Sequence, residues 1–115
     1  MRVADCLFCK IAAKELDSKI VHESDGVIAF EDINPAAPTH VLVIPKEHIA
    51  SAQELSAGHS ALLGEIFDAI SSIAEDRGVA EGYRVVTNVG RDAGQSVFHL
   101  HFHLIGGREM SWPPG

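Results

Sequence analysis

Residues 98–104 alternate between apolar side chains and histidine, in the order Phe-His-Leu-His-Phe-His-Leu, and Ile105 follows. Successive side chains of a β-strand point to opposite faces of the sheet, so this period of two predicts a strand with one apolar face and one imidazole face. Successive histidine Cα atoms of such a strand lie about 6.6–6.8 Å apart. We therefore predict a last strand from Val97 to Ile105 whose apolar residues, including Phe98, Leu100 and Phe102, face a core.

The rest of the chain divides into short strand patterns around one long helical pattern. Ser24-Asp25-Gly26 favours a tight turn between two strands, and Pro35 and Pro38 make residues 32–39 a loop. Apolar residues recur at helical spacing between Ser56, which suits a helix start, and Gly78, which suits a helix end. The predicted strands are 20–22, 27–31, 40–44, 83–88 and 97–105, and the predicted helices are 6–13, packing Leu7, Phe8 and Ile11 inward, and 56–77.

This order of elements predicts an α+β fold with a mostly antiparallel, five-stranded sheet, one long helix and a short N-terminal helix. The 115 residues correspond to a single domain, 1–115, on size grounds. The formal net charge of −7 argues against a nucleic-acid partner, which requires a clustered basic face. The sequence contains neither a run of about 20 apolar residues nor a signal-peptide pattern. We expect a cytoplasmic protein without membrane contact.

The imidazole face indicates chemistry at phosphorus. Histidine has an unperturbed pKa of about 6.5, so a neutral ring is available as a nucleophile at pH 7. His101 is the middle histidine and is flanked by an imidazole on each side. The turn Gly94-Gln95-Ser96 lies just before the strand, where its backbone N–H groups and the Ser96 hydroxyl suit phosphate oxygens. Two alternatives remain at this point: a solvated strand face, or three histidines that bind one metal ion.

These residues resemble the histidine triad (HIT) superfamily, whose motif alternates three histidines with apolar residues and closes with two more apolar residues. The likeness extends over nearly the whole chain and is greatest to the Hint branch, the histidine triad nucleotide-binding proteins. Four further segments are similar to that branch: residues 32–40 (Asp-Ile-Asn-Pro-Ala-Ala-Pro-Thr-His), 43–48 (Val-Ile-Pro-Lys-Glu-His), 94–97 (Gly-Gln-Ser-Val) and 112–115 (Trp-Pro-Pro-Gly).

The resemblance implies a HIT-like fold, a homodimer whose sheets join, and purine nucleoside phosphoramidase activity that releases AMP or GMP from an amine. By position, His101 corresponds to the nucleophile, His103 to a phosphate-contacting partner and His40 to a fourth supporting histidine. Ser96 completes this catalytic set. Two other functions remain open: a dinucleoside polyphosphate hydrolase of the same superfamily, and a nucleotide-binding regulatory partner without catalysis.

The resemblance also implies a nucleotide pocket. Asp32 corresponds to the residue that accepts hydrogen bonds from the ribose hydroxyls, and Asn88 lies on the phosphate and leaving-group side. Each has a structural alternative, since Asp32 and Asn88 are also typical turn residues and His40 could be a hydrogen-bonded, half-buried histidine. The predicted nucleotide-binding set is Asp32, Ile33, Asn88, Gly94, Gln95, Ser96, Phe8, Ile11, Phe30, Leu42 and His103, of which the apolar members also suit a core.

Cys6 and Cys9 suggest a metal site. In a reducing compartment a Cys-x-x-Cys pair favours metal over disulfide. Some histidine triad proteins hold a structural zinc ion with two N-terminal cysteines and two histidines, and Cys6, Cys9, His48 and His99 occupy those positions. Four nitrogen and sulfur ligands suit a closed tetrahedral site. The alternative is that the cysteines only pack in the core. No organic cofactor is expected.

Overall fold

The fold is one antiparallel five-stranded sheet with helices on both faces, seen in a computed structural model that describes residues 3–115. The strand order is β1-β2-β3-β5-β4, so β1 and β4 are the two edges. The strands are β1 (Ile20–Glu23), β2 (Val27–Glu31), β3 (Thr39–Pro45), β4 (Tyr83–Val86) and β5 (Phe102–Gly106), and the α-helices are α1 (Leu7–Ala12) and α2 (Ser60–Asp76). The predicted α+β class and five-stranded sheet are confirmed.

Helix α2 covers one face of the sheet because its apolar stripe has the helical period that the sequence predicts. Alternate residues of the strands meet this stripe and form a closed core with it. The opposite face is covered over β2 and β3 by α1, so these two central strands are buried on both sides. The α2-side core includes Val27, Ala29, Val41, Val43, Ile66, Ile70, Ile73, Leu100 and Leu104, and the α1-side core comprises Phe8, Ile11, Ile28, Phe30, Leu42 and Ile44.

The helix ends differ from the predicted ones. Ser56 caps a separate 3₁₀ turn, Ala57–His59, by accepting the Gly58 N–H, and α2 begins after this turn. Gly78 follows α2 with φ of 71°, a left-handed conformation that glycine adopts without strain, as predicted. In α1, Leu7 is 46% exposed, so its predicted inward packing is wrong.

The histidine strand is shorter than predicted. Ladder pairing of β5 with β3 begins at Phe102 opposite Val43, so residues 97–101 lie outside the strand. The cause is in β3, which ends two residues later at Pro45, a residue without an N–H to donate. Leu100 still enters the α2-side core, but Phe98 is 47% exposed, so its predicted inward direction is wrong.

Strand β4 is also shorter than predicted, and it ends at Val86 rather than at residue 88. Beyond this end, the Thr87 hydroxyl donates to the His101 carbonyl at 2.8 Å, so a side chain takes the place of a ladder hydrogen bond. Within residues 3–115, no helix has the length and apolar character needed to cross a bilayer.

Candidate active site and metal centre

His101 is buried, and its ring has a defined tautomer. Its Nδ1 lies 2.7 Å from the backbone carbonyl oxygen of His99. A carbonyl oxygen only accepts hydrogen bonds, so Nδ1 must carry a proton, and in the neutral ring Nε2 keeps its lone pair. The edge of the ring meets Phe8 at a centroid distance of 5.1 Å, and His103 lies at the same centroid distance. The arrangement provides a held imidazole with an unprotonated nitrogen.

His40 and His103 form a directed hydrogen-bonded pair across β3 and β5. The backbone N–H of Ala36 donates to His40 Nδ1 at 2.9 Å, so the His40 proton is on Nε2. His40 Nε2 in turn lies 2.9 Å from His103 Nδ1, which must therefore accept. This leaves the His103 proton on Nε2. The chain of bonds from the 32–39 loop thus makes His103 Nε2–H a donor for an anionic oxygen.

Burial, reinforced by the neighbouring rings of His101 and His40, lowers the pKa of His103 to about 4. Burial disfavours the charged imidazolium, and nearby imidazoles would repel its charge. His103 is consequently neutral at pH 7. The neutral ring can donate a hydrogen bond from Nε2–H without taking up a second proton.

Asp32 is close to this pair. Its Oδ1 accepts the Asn34 N–H at 2.7 Å, a turn geometry, while Oδ2 lies 3.4 Å from His40 Nε2. Ligand atoms of Asp32, His40 and His103 lie within 4.8 Å of one another. A metal ion bound to His40 Nε2 would displace the proton between His40 and His103. The proton of a neutral His40 ring would then move to Nδ1, where it would face the Ala36 N–H. We therefore describe this group as a hydrogen-bonded cluster. The turn interpretation of Asp32 is correct, and it leaves a carboxylate oxygen directed at the histidines.

An apolar cluster lies beside His101. Phe8 contacts Phe30 edge-to-face with a centroid distance of 5.4 Å, and Ile11 and Leu42 pack with them. The structure thus brings together four of the five apolar residues of the predicted nucleotide-binding set. The fifth, Ile33, is 93% exposed and stands outside this cluster.

The loop before the histidines is organised by Gln95. This buried side chain donates to the carbonyls of Ala50 and Val97 at 2.8 and 3.1 Å and accepts the Gly90 N–H at 2.9 Å. These bonds use both of its amide N–H groups. Gly94 has φ of 96°, and its N–H donates within the loop. Gln95 and Gly94 therefore shape the loop, while Ser96 is its exposed polar member and Asn88 is half-buried nearby in sequence.

The second centre joins α1 to the segment before β5. His99 Nδ1 lies 3.3 Å from Cys6 Sγ and 3.6 Å from Cys9 Sγ, and His48 Nδ1 lies 3.4 Å from Cys9 Sγ. A tetrahedral zinc ion with Zn–S of about 2.3 Å and Zn–N of about 2.0–2.1 Å places sulfur and nitrogen ligands about 3.5 Å apart. The observed separations fit that value. The donor set is therefore correct for a structural zinc ion, which would cross-link these segments and leave no ligand position open.

His99 is oriented for this centre by its other ring nitrogen. Nε2 donates to the Pro45 carbonyl at 2.8 Å, so Nδ1 carries the lone pair that faces the sulfurs. Burial lowers the pKa of His99, and burial likewise raises the pKa of the metal-free Cys6 thiol. Since His99 faces the cysteines and His40 faces His103, the alternative in which the three strand histidines bind one ion is wrong. Within residues 3–115 those three form no common ligand group.

The partners that set these ring orientations were not predicted from the sequence. They are the Pro45 and His99 carbonyls and the Ala36 N–H, and the Thr87 hydroxyl, which donates to the His101 backbone carbonyl, was not predicted either. Backbone groups carry no residue-type signal, so no pattern could have found the first three. Thr87 had a weak signal, because it is a hydroxyl residue at the end of a predicted strand.

Fold and site together define a small α+β protein with a hydrogen-bonded histidine centre beside an apolar cluster and a separate Cys₂His₂ centre. Residues 5–112 match the family model described as scavenger mRNA decapping enzyme C-term binding. The chain is 50% identical over 111 residues to an uncharacterized HIT-like protein of Synechococcus elongatus, covering 96% of this chain and 97% of the relative. It is 45% identical to a 14 kDa zinc-binding protein of Zea mays, covering 95% and 87% of the two chains.

A solved structure supports the same assignment. The crystal structure of a HIT family hydrolase from Legionella pneumophila is 48% identical, with a TM-score of 0.94, and covers 96% of this chain and 100% of that one. The chain belongs to the histidine triad (HIT) superfamily.

Proposed function

We propose that this protein is a hydrolase of the Hint branch that cleaves purine nucleoside 5′-phosphoramidates, AMP or GMP joined to an amine. The observation that carries the proposal is the hydrogen bond from His101 Nδ1–H to the His99 carbonyl, because it leaves Nε2 with a lone pair. The name of the Legionella relative, a HIT family hydrolase, supports the reaction class.

The reaction proceeds in two displacements. His101 Nε2 attacks phosphorus, the substrate P–N bond breaks, and its electron pair goes to the amine nitrogen, which takes up a proton from solvent as it leaves. Water then attacks the nucleotidyl-histidine, the P–Nε2 bond breaks and returns its electron pair to the ring, and the nucleoside monophosphate leaves while the proton of the water passes to solvent. Splitting one displacement into two lowers the barrier of each.

His103 stabilises the phosphorus centre in this scheme. Its Nε2–H donates to a non-bridging phosphate oxygen, and the low pKa keeps it neutral throughout. His40 holds the ring in the tautomer that makes this donation possible. Ser96 adds a hydroxyl donor to the same anion, and Asn88 lies toward the leaving group.

The nucleotide lies in the apolar cluster in this proposal, with its base against Phe8 and Phe30 and its ribose hydroxyls donating to Asp32. Support comes from the position of Phe8, whose ring contacts both Phe30 and the proposed nucleophile. Ile33 contacts the bound nucleotide from the exposed rim rather than from inside the cluster. Ile28 and Ile44 belong to the same buried cluster.

We further propose a cytoplasmic homodimer in which two sheets join at β4. Among residues 3–115, none pairs with the outer side of β4, and Tyr83 on this strand is 38% exposed. An open strand edge is a template for pairing with another chain. Analytical ultracentrifugation of the full chain tests this proposal, and a monomer at micromolar concentration would contradict it.

The test of the activity is His101→Ala, assayed with an AMP amidate such as AMP-morpholidate. Turnover is expected to vanish while AMP binding persists, and His22→Ala on the edge strand β1 is the matched control that should retain activity. Rapid-quench mass spectrometry should detect AMP attached to His101. Near-normal turnover by the His101 variant would overturn the nucleophile. Faster cleavage of diadenosine polyphosphate than of the amidate would overturn the substrate class, and no turnover of either would indicate a binding protein.

A further inference from the structure

The segment that carries the proposed nucleophile is not held by a strand ladder. Regular pairing of β5 begins at Phe102, so neither His99 nor His101 lies in the β3–β5 ladder. A loop in this position has freedom that a strand does not have. The location of His101 must therefore depend on other contacts of residues 97–101.

Several contacts of His99 and Leu100 join this segment to the Cys₂His₂ centre. His99 is fully buried, with its ring between the Pro45 carbonyl and the two cysteine sulfurs. The next residue, Leu100, donates its N–H to the carbonyl of Ile49 at 2.6 Å, and Ile49 directly follows His48. The nucleophile segment therefore contains one histidine of the centre, His99, and its next residue is hydrogen-bonded to the residue that follows the other histidine, His48.

The centre also reaches the nucleophile through two direct contacts. The His99 carbonyl accepts the His101 Nδ1–H at 2.7 Å, which is the bond that leaves His101 Nε2 unprotonated. Phe8 lies between Cys6 and Cys9 in sequence, and its ring meets the rings of both His99 and His101, at centroid distances of 6.0 and 5.1 Å. A shift of α1 or of the His99 backbone would therefore move the His101 ring.

We propose that His99 is a positioning residue, and that metal occupancy of the Cys6, Cys9, His48 and His99 site sets the location and tautomer of the His101 ring through the His99 main chain. The four ligands restrain this segment at His99, in addition to the hydrogen bonds from Gln95 to Val97 and from Thr87 to His101. The consequence for turnover rests on the proposed function, whereas the consequence for the His101 ring does not. A displacement of reacting groups by about 1 Å can cost up to about 100-fold in rate.

The experiment compares zinc-loaded full-length protein with protein stripped by a chelator, with zinc content measured by elemental analysis. Long-range ¹H–¹⁵N spectra of the histidine rings report the His101 tautomer without any substrate. We expect His101 to be in the Nδ1–H form when zinc is bound and to be a mixture of both tautomers when it is removed. On AMP-morpholidate, kcat should fall about 10- to 100-fold, with a smaller change in KM, and added zinc should restore both the spectrum and kcat.

Two variants separate positioning from loss of stability. His48→Gln removes the ligand that lies neither at α1 nor in the nucleophile segment, and it should require more zinc to reach the same His101 spectrum. Ile73→Ala, in the α2-side core, is the control that lowers stability with the ligands intact, and its His101 spectrum should be unchanged. Identical His101 ring shifts in folded protein with and without zinc would overturn the proposal. If no variant or wild type hydrolyses the amidate, the proposed function fails, and the ring spectra still decide the positioning role.

Discussion

Substitutions of His40 can separate an effect on stability from an effect on turnover, because its two ring nitrogens bond to different partners. Nδ1 accepts the Ala36 N–H and Nε2–H donates to His103, both at 2.9 Å. Asparagine places its side-chain oxygen near the position of Nδ1, and glutamine places an amide N–H near the position of Nε2. His40→Asn therefore keeps the loop bond and loses the bond to His103, and His40→Gln does the reverse.

The expected magnitudes follow from which group is left without a partner. A buried polar group that loses its partner costs about 1–3 kcal/mol. Each variant breaks one bond, so each should lower the free energy of unfolding by about that amount. Only the asparagine variant releases the His103 ring, which misplaces the donor to phosphate and should lower kcat by up to about 100-fold. The glutamine variant should retain most of kcat.

Urea unfolding and turnover of AMP-morpholidate measure the two effects, and ring ¹⁵N spectra report the His103 tautomer. His22→Asn, a histidine on the far edge strand, controls for the loss of an imidazole as such. Equal kcat in the asparagine and glutamine variants, or an unchanged His103 tautomer in the asparagine variant, would refute the reasoning about the His40 to His103 bond.

Three other predictions test the packing and the pH dependence. Leu100→Ala should cost about 2–5 kcal/mol of unfolding free energy in urea titrations, whereas Phe98→Ala, a half-exposed neighbour, should cost less than about 1.5 kcal/mol; an equally large cost for both would show that residues 98 and 100 share a buried strand face. Thr87→Val should lower stability by about 0.5–1.5 kcal/mol while Thr87→Ser retains it, because only serine keeps the donor to the His101 carbonyl. Since the pKa of His103 is lowered to about 4 from an ordinary 6.5, the unfolded chain binds this proton first as pH falls, so stability is full above about pH 6.5 and is lost toward pH 4. His103→Gln should flatten that part of the stability curve, and an unchanged slope would contradict the low pKa.

Much of the fold could be predicted from side-chain patterns. The stripe on α2 and the apolar strands bury side chains whose spacing matches the element, so the spacing alone predicts the buried face. The turn at residues 24–26 could be predicted from its Asp-Gly pair. The Cys-x-x-Cys pair and the two distant histidines could be assigned to one centre only through the family resemblance, since nothing in the spacing brings residue 48 to residue 99.

The alternation around His101 indicated which residue types would line the site, and it holds in β5, where side chains alternate between the two faces of the sheet. It did not determine where the strand begins, and the predicted start at Val97 was wrong because Pro45 ends the partner strand. Tertiary structure alone decided which nitrogen of each ring carries a proton. The partners that decide it are backbone groups, the carbonyls of Pro45 and His99 and the N–H of Ala36, which every residue type offers alike. Which of these backbone groups contacts a given histidine ring depends on how segments distant in sequence pack against each other.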